Sequence, residues 1–276
     1  MASMDRFIQF AEPIAGELPL QQAAAAVENE TTRRREALGR RTTAIDESRR
    51  AHYMLLRAVD VLLASILIVL TAPLMLLVVI ATKLDSPGSP LFVQRRVGAR
   101  HLWQNGQRIT EVFTFPLYKF RTMYIDAPSS SHREFMRAYI HNDVETMRRL
   151  QKGKVEKENQ YKMVGDPRVT RVGRILRKTS LDELPQLFNV LFGDMSLVVP
   201  RPAIPYEVAM YKDWHCDRLL DPAGITGLWQ VTARSASTFD EMVNLDLEYI
   251  NTQTLFLYLK ILVMTPLSVF IGKGAE

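Results

Sequence analysis

The chain has 276 residues, one cysteine (Cys216) and a formal net charge of +5, with a pI near 9.3. This length can bury a sizeable core, which excludes a small disulfide-stapled module and favours one catalytic domain with appendages. A single cysteine excludes disulfides within the chain and suits a reducing compartment. The five histidines lack the spacing of zinc ligands. The positive charge predicts an anionic partner, but it does not choose among nucleic acid, acidic lipid and a phosphorylated substrate.

The first segment, residues 1–50, has an alanine run and an arginine-rich stretch, but no apolar core followed by a signal-peptide cleavage site. We therefore predict a flexible cytoplasmic extension. Residues 61–81 contain no charged side chain. About 20 apolar residues suffice to cross a bilayer, so this run predicts a membrane helix. A core helix of a soluble protein is the alternative, but it would normally show a polar stripe.

Both flanks of the apolar run are cationic. Before it lie Arg33, Arg34, Arg35, Arg40, Arg41, Arg49, Arg50 and Arg57, and after it lie Lys83, Arg95, Arg96, Arg100 and Arg108. Because cationic flanks mark the cytoplasmic side, both ends qualify for that side. Pro73 removes a backbone hydrogen bond in mid-run and bends the helix. A re-entrant helix bent at Pro73 satisfies both observations, and a spanning helix with a tolerated proline is the alternative.

The remaining chain predicts an α+β fold that is mainly helical. The expected elements are short strands at 91–94 and 112–115 around a turn at Asn105 and Gly106, helices at 131–152 and across 169–192, a strand or extended turn at 197–199, and an apolar helix at 255–271. The last helix is interrupted by Pro266 and is short for a membrane span. We expect it to lie in the membrane interface, with a core helix as the alternative.

Two adjacent carboxylates, Asp182 and Glu183, lie in a strongly cationic part of the sequence. The cations are Arg168, Arg171, Arg174, Arg177, Lys178 and Arg201. This combination indicates phosphate and metal chemistry, and an oxygen-ligated Mg²⁺ (or Mn²⁺) suits such a pair. Either Ser180 or Asp182 could cap a helix here, and we prefer Asp182 because Pro185 then falls in the first turn. The alternative to a functional pair is an ordinary helix cap.

Phosphate-binding groups can be proposed from local context. Arg121, Arg201 and Arg234 each lie in a short motif with aromatic, small or proline neighbours, which can hold a guanidinium rigidly towards phosphate. Lys119 is a weaker candidate. Any of these four could instead form a surface ion pair. The turn that contains Gly227 and Trp229 could let the backbone approach a nucleotide. The alternative is an ordinary tight turn.

Several motifs together resemble one family. They are QRRVG at residues 94–98, KFRTM at 119–123, DPRVT at 166–170, SLDELPQ at 180–186, GDMS at 193–196, PRP at 200–202 and PAGITGLWQV at 222–231. In this order they resemble the bacterial sugar transferases, the monotopic phosphoglycosyl transferases that initiate glycoconjugate assembly. The resemblance runs from about residue 53 to residue 271, and only the first 50 residues fall outside it.

The resemblance implies an enzyme that moves a sugar 1-phosphate from a UDP-sugar to polyprenyl (undecaprenyl) phosphate and releases UMP, as the first step of exopolysaccharide or similar synthesis. UDP-glucose and UDP-galactose are the expected donors. It implies that Asp182 attacks phosphorus to form a covalent intermediate, that Glu183 with Asp182 holds Mg²⁺, and that Pro73 bends a re-entrant helix.

It also implies an organisation. Residues 51–84 would form the membrane helix, and residues 85–276 a catalytic domain on the cytoplasmic face of the bacterial inner membrane. The expected partners are the two substrates and inner-membrane lipids but no nucleic acid, with a homodimer as one option.

The sequence departs from the family pattern at four places. Ala72 replaces the serine that often precedes the bending proline, Val199 replaces a glycine before PRP, and Thr232-Ala233 precedes Arg234 in place of Asn-Gly. Tyr258 stands where aspartate is common. None of these changes removes the carboxylate pair.

Two other function classes compete with this prediction. A non-catalytic, membrane-anchored basic protein would explain the charge and the apolar run, but not the carboxylate pair among arginines. A metal-dependent phosphohydrolase of nucleotide or lipid diphosphates shares the chemistry, but it would turn over in water without a lipid acceptor.

Overall fold

The computed structural model describes residues 41–44, 47–104, 107–125, 130–150, 166–233 and 237–270. Predictions for residues 1–40 and for Arg234 lie outside these ranges. The strands are β1 Arg41–Ala44, β2 Leu91–Gln104, β3 Gln107–Phe120, β4 Met195–Val198 and β5 Ala223–Thr226. The α-helices are α1 Glu47–Asp85, α2 Ser130–Ile140, α3 Val144–Leu150, α4 Arg171–Thr179, α5 Gln186–Phe192, α6 Pro205–Val208, α7 Leu228–Thr232, α8 Phe239–Thr252 and α9 Leu255–Phe270. Two 3₁₀ segments, Leu181–Glu183 and Asp213–Leu220, complete this mainly helical α+β fold.

Helix α1 contains the apolar run predicted from the sequence and continues through Pro73. By length and composition its Arg49–Asp85 portion could cross a membrane, and only 11% of its most apolar window is buried in the protein. A core helix of a soluble protein would be mostly buried, so the exposed leucines and valines favour a lipid environment. The helix ends at Asp85, where the turn of Ser86, Pro87 and Gly88 follows.

The predicted hairpin is confirmed and is longer than expected. Strands β2 and β3 pair antiparallel along their whole length, from Leu91 opposite Phe120 to Gln104 opposite Gln107. Polar cross-strand pairs such as Arg100 with Glu111 extend the ladder beyond the short apolar segments. Strand β1 pairs antiparallel with the start of β3. A strand therefore lies within the segment that was predicted to be a flexible extension.

Strands β4 and β5 form a separate parallel pair at the centre of the domain. All four residues of β4 are buried, which confirms the strand alternative for this apolar stretch. Gly224 of β5 is required by close approach, because a Cβ there would lie 2.2 Å from the carbonyl oxygen of Val199. Val199 itself is buried and donates its N–H to the Thr226 carbonyl at 2.9 Å.

Helix α9 has features of both predicted alternatives, an interfacial helix and a core helix. Tyr258 and Ile261 are buried in the core with residues of α1 and β4. Phe256, Val263 and Leu267 are exposed. One face of the helix therefore belongs to the core and the other presents apolar side chains outwards. Tyr258 stands where aspartate is common in the family, and its hydroxyl donates a hydrogen bond to the Asp60 carboxylate.

Candidate active site

The carboxylate pair lies in the 3₁₀ turn Leu181–Glu183 between helices α4 and α5. Ser180 ends α4 in the left-handed region with φ of 57°. The preferred capping prediction was wrong, because α5 begins at Gln186 after Pro185 and the Asp182 side chain belongs to the preceding turn. Ser180 makes no side-chain cap either. Asp182 is buried at 9% exposure, so the turn presents a carboxylate that is largely shielded from water.

Glu183 is held by two cations. Its Oε1 accepts hydrogen bonds from Lys119 Nζ and from Arg201 Nη2, each at 2.9 Å. Burial raises the pKa of Glu183, but the charges of Arg201 and Lys119 outweigh burial and hold that pKa well below its usual range. Burial lowers the pKa of Lys119, and the Glu183 carboxylate opposes this effect. The arrangement keeps Glu183 ionised and gathers two predicted phosphate-binding residues at one point.

Lys119 is positioned by a residue that the sequence analysis missed. Asn189 of α5 is fully buried, donates Nδ2 to the Pro116 carbonyl at 2.7 Å and accepts from the Tyr118 N–H at 3.1 Å. Strand β1 pairs only with residues 107–110 of β3, so the later part of that edge has no neighbouring strand. There the Asn189 amide makes the hydrogen bonds that a neighbouring strand would make. A proline inside a strand marks such an edge, since it cannot donate to a ladder. The sequence signal that could have identified Asn189 is an asparagine within the apolar residues of α5. Pro116 in β3 is the second signal, because it marks a strand edge that needs such a partner.

The loop that presents Arg201 is fixed through consecutive backbone carbonyls. The carbonyl of Pro200 accepts from Gly224 N–H at 2.8 Å, and that of Arg201 accepts from Arg218 Nη2 at 3.2 Å. The carbonyl of Pro202 accepts from Arg96 Nη1 at 2.9 Å. With each peptide anchored from a different element, the Arg201 guanidinium starts from a rigid base.

Arg218, one of these anchors, is itself held in the core. Its Nε donates to Asp246 Oδ2 at 2.8 Å and its Nη1 to the Tyr211 hydroxyl at 3.0 Å. Burial raises the pKa of Asp246 to about 6, although the Arg218 charge opposes it. Sequence analysis did not single out this buried pair, because its members are 28 residues apart. The pair acts on the site through the backbone of Arg201.

Arg121, the third proposed phosphate-binding residue in the described ranges, bonds to the turn that follows α1. Arg121 is 7% exposed, and its guanidinium donates to the carbonyls of Ser86 at 2.8 Å and Pro87 at 2.7 Å. In the described part of the chain the cations bonded to Glu183 are Lys119 and Arg201, and Arg121 is not among them. Arg121 therefore fixes the turn where the chain leaves α1.

Gly227 and Trp229 lie next to the Arg201 loop. Gly227 precedes α7, and a Cβ there would lie 3.1 Å from the Val199 carbonyl oxygen. Trp229 is 4% exposed and lines a small cavity of about 10 Å³ together with Arg201 and Arg218. Its ring therefore packs beside the Arg201 loop, and the approach of a nucleotide to this turn stays a prediction.

A second polar cluster lies around His132 of α2. Its Nδ1 is 2.9 Å from the Tyr206 hydroxyl. Burial, followed by the charges of Arg168 and Arg96, lowers the pKa of His132 to about 4. Arg168 forms a forked ion pair with Asp166, with the shortest contact 2.6 Å. His132 is thus neutral at physiological pH within a cationic neighbourhood.

The donor set at the turn fits Mg²⁺ better than a transition metal. Within the described ranges no group of three or more His, Cys, Asp or Glu side chains could hold a metal ion. Mg²⁺ is commonly held by one or two carboxylates, with substrate phosphates and water completing its octahedron. Asp182 and Glu183 supply two adjacent carboxylates, and Lys119 and Arg201 both bond to the same oxygen of Glu183. A diphosphate would have to supply the remaining ligands.

Comparison with known proteins matches most of the chain. A family model described as bacterial sugar transferase matches residues 51–272. The chain is 37% identical over 220 residues to the undecaprenyl-phosphate galactose phosphotransferase of Salmonella typhimurium, covering 79% of this chain and 41% of that protein. It is 36% identical over 219 residues to the exopolysaccharide production protein ExoY of Rhizobium meliloti, covering 79% and 87%.

A third relative is the UDP-glucose:undecaprenyl-phosphate glucose-1-phosphate transferase of Caulobacter vibrioides, with 37% identity over 233 residues, covering 79% of this chain and 71% of that protein. The chain thus spans about two fifths of the length of the Salmonella relative and most of the length of ExoY. The family match includes α1, the carboxylate turn and the Arg201 loop. The chain belongs to the bacterial sugar transferase family.

Proposed function

We propose that this protein transfers a hexose 1-phosphate from a UDP-sugar to polyprenyl phosphate at the cytoplasmic face of the bacterial inner membrane. The observation that supports this most is the carboxylate turn, in which Asp182 is buried and Lys119 and Arg201 converge on Glu183 at 2.9 Å, beside a largely exposed apolar helix. The names of the Salmonella and Caulobacter relatives specify galactose and glucose transfer to undecaprenyl phosphate. We therefore propose UDP-galactose or UDP-glucose as donor.

The proposed chemistry has two displacements at phosphorus. A carboxylate oxygen of Asp182 attacks the phosphorus that bears the sugar, the bond to the bridging oxygen breaks, and UMP leaves with the electron pair. The phosphate of the polyprenyl acceptor then attacks the same phosphorus. This second displacement forms the diphosphate-linked product and returns Asp182 as a free carboxylate.

The protein residues around the turn supply charge and order for these steps. Lys119 and Arg201 would neutralise a diphosphate at the Asp182–Glu183 turn, because cations fixed in advance stabilise developing negative charge. Asp182 and the free oxygen of Glu183 would hold Mg²⁺, which when bound supplies Lewis-acid screening of the phosphate oxygens. Burial of Asp182 limits the access of water to an aspartyl phosphosugar, which favours transfer over hydrolysis.

The proposed re-entrant shape of α1 rests on where its two ends dock. Near its start, Arg57 Nη1 donates to the Val190 carbonyl at 2.6 Å on α5. At its end, the Asp85 carboxylate accepts the Val172 N–H at 3.0 Å on α4. Both helices belong to the same globular unit, whereas a spanning helix would place its ends on opposite sides of the bilayer. The cationic flanks and Pro73 support the same topology.

The test of the function is a donor half-reaction without lipid acceptor. Detergent-held protein is mixed with Mg²⁺ and UDP-glucose, UDP-galactose or acetamido analogues, and intact mass is recorded with UMP release. We expect one stoichiometric burst of UMP and a mass gain of one hexose phosphate, with Asp182→Asn as the matched control. Continuous UMP release without an adduct would instead support the phosphohydrolase. No reaction with any donor would support the non-catalytic binding protein.

A further inference from the structure

Helix α4 has a cationic outer face. Arg171, Arg174 and Lys178 are exposed, and Ile175 among them is 63% exposed. Their spacing of three and four residues places them along one side of the helix. In the described ranges none of the three cations forms an ion pair. We call this set, Arg171, Arg174, Ile175 and Lys178, the α4 stripe.

The inner face of α4 is fixed rigidly to the domain. A Cβ on Gly173 would lie 2.1 Å from the Thr122 carbonyl oxygen, so the helix backbone touches the segment after β3. Leu176 is buried with Phe120 of β3 and Val78 of α1. Thr170 caps the helix, accepting from the Gly173 N–H at 2.9 Å. The orientation of the α4 stripe is therefore set by the fold.

The contact with α1 fixes the depth of α4 relative to a membrane. Val78, which is buried in the same cluster as Leu176, lies inside the uncharged run that ends at residue 81. At about 1.5 Å per residue, Val78 is only about 5 Å from the end of the run. Asp85, which accepts from Val172 at the other end of α4, lies just beyond the run. If α1 enters the bilayer as proposed, α4 lies at the level of the lipid headgroups.

We propose that the α4 stripe binds anionic phospholipid headgroups. Three cations at headgroup level complement a negative surface, and the aliphatic stems of Arg and Lys together with Ile175 suit the boundary between headgroups and acyl chains. Each cation near an anionic surface favours binding by about fivefold, so the three together predict clear selection of anionic over zwitterionic lipid. The inference rests on the membrane position of α1 and is independent of the transfer chemistry.

The experiment measures which lipids stay with the protein. The full chain is reconstituted into vesicles of phosphatidylethanolamine with about one quarter phosphatidylglycerol and extracted in polymer discs, and the ratio of the two lipids retained is compared with the bulk ratio. The test variant is Arg171→Gln/Arg174→Gln/Lys178→Gln. The control, Arg137→Gln/Arg148→Gln/Arg149→Gln, removes the same number of exposed charges from α2 and α3. A third variant, Arg171→Lys/Arg174→Lys, keeps the charge.

We expect several-fold phosphatidylglycerol enrichment with the unaltered chain, the control and the lysine variant, and loss of that enrichment to near the bulk ratio in the test variant. For the unaltered chain, enrichment should also fall as ionic strength rises to about 1 M, where the screening length is about 3 Å. Because the salt measurement uses the unaltered chain, its result does not depend on whether any variant folds.

Three outcomes would overturn the proposal. They are unchanged enrichment in the test variant, equal losses in the test and control variants, and enrichment that is insensitive to salt. A raised KM for polyprenyl phosphate with unchanged lipid enrichment would assign the α4 stripe to the acceptor instead. An intact donor half-reaction in the test variant would separate any of these failures from failure of the proposed function.

Discussion

Replacing Asn189 by alanine tests how Lys119 is positioned. The substitution removes the hydrogen bonds at 2.7 Å to the Pro116 carbonyl and at 3.1 Å to the Tyr118 N–H, both within three residues of Lys119. Leaving two part-buried backbone groups without their partner costs at most about 1–3 kcal/mol each. We therefore expect the free energy of unfolding to fall by about 3–4 kcal/mol. For a domain of this size that corresponds to a Tm lower by about 10 °C.

The assay combines stability with function. Thermal unfolding in detergent is followed by intrinsic fluorescence for Asn189→Ala and for Asn244→Ala, whose side chain is exposed on α8. The UMP burst is then measured well below either Tm. We expect a slower burst in Asn189→Ala and little change in Asn244→Ala, because only Asn189 aligns the strand that supplies Lys119.

A double-mutant cycle with Lys119→Ala separates positioning from general destabilisation. If Asn189 acts through Lys119, its replacement should have little further effect on the burst rate once Lys119 is absent. Fully additive losses would refute the positioning argument. A loss of less than about 1 kcal/mol in Asn189→Ala would refute the energetic argument, because a satisfied buried amide should not be that dispensable.

Asp182→Asn should abolish both half-reactions, whereas Glu183→Gln should lower activity and weaken its dependence on Mg²⁺; full activity of Asp182→Asn would contradict the nucleophile assignment. Pro73→Leu should let α1 straighten and cross the bilayer, so cysteine labelling of the N-terminal segment should change sides, and unchanged labelling would show that the proline does not set topology. His132 has a folded pKa of about 4 against an ordinary 6.5. The unfolded chain therefore binds the proton first, and stability should fall by up to about 3 kcal/mol as pH drops from 6.5 to 4. Thermal unfolding of His132→Gln across this range should lack that slope, and the exposed control His141→Gln should keep it.

Local sequence patterns predicted those parts of the fold that depend on neighbouring residues. The uncharged run predicted the apolar part of α1, and the turn at Asn105 and Gly106 predicted the hairpin. The strand ends were missed because polar cross-strand pairs, such as Arg100 with Glu111, extend a ladder without an apolar pattern. Such pairs become visible only when the register is known.

The sequence motifs proposed Lys119, Arg121 and Arg201 as phosphate-binding residues, and that role stays a prediction. In the structure Lys119 and Arg201 both bond to Glu183, whereas Arg121 bonds to carbonyls 34 and 35 residues earlier. A guanidinium can satisfy backbone carbonyls as well as phosphate, and its sequence neighbours do not distinguish the two partners. Asn189 was missed for a similar reason, because its partners lie over 70 residues earlier on β3.

The Asp60 carboxylate in α1 has a consequence for the order in which the chain folds. This side chain is 3% exposed, and its partners are the Leu197 N–H, 137 residues later, and the Tyr258 hydroxyl, 198 residues later. At about 5–20 residues per second, translation reaches Tyr258 roughly 10–40 s after Asp60. An apolar helix can enter the bilayer well within that time, so Asp60 must stay near water until the last described helix is made. Helix α1 can therefore complete its docking only after α9 has been made. Docking of α1 is thus a late event in the maturation of this protein.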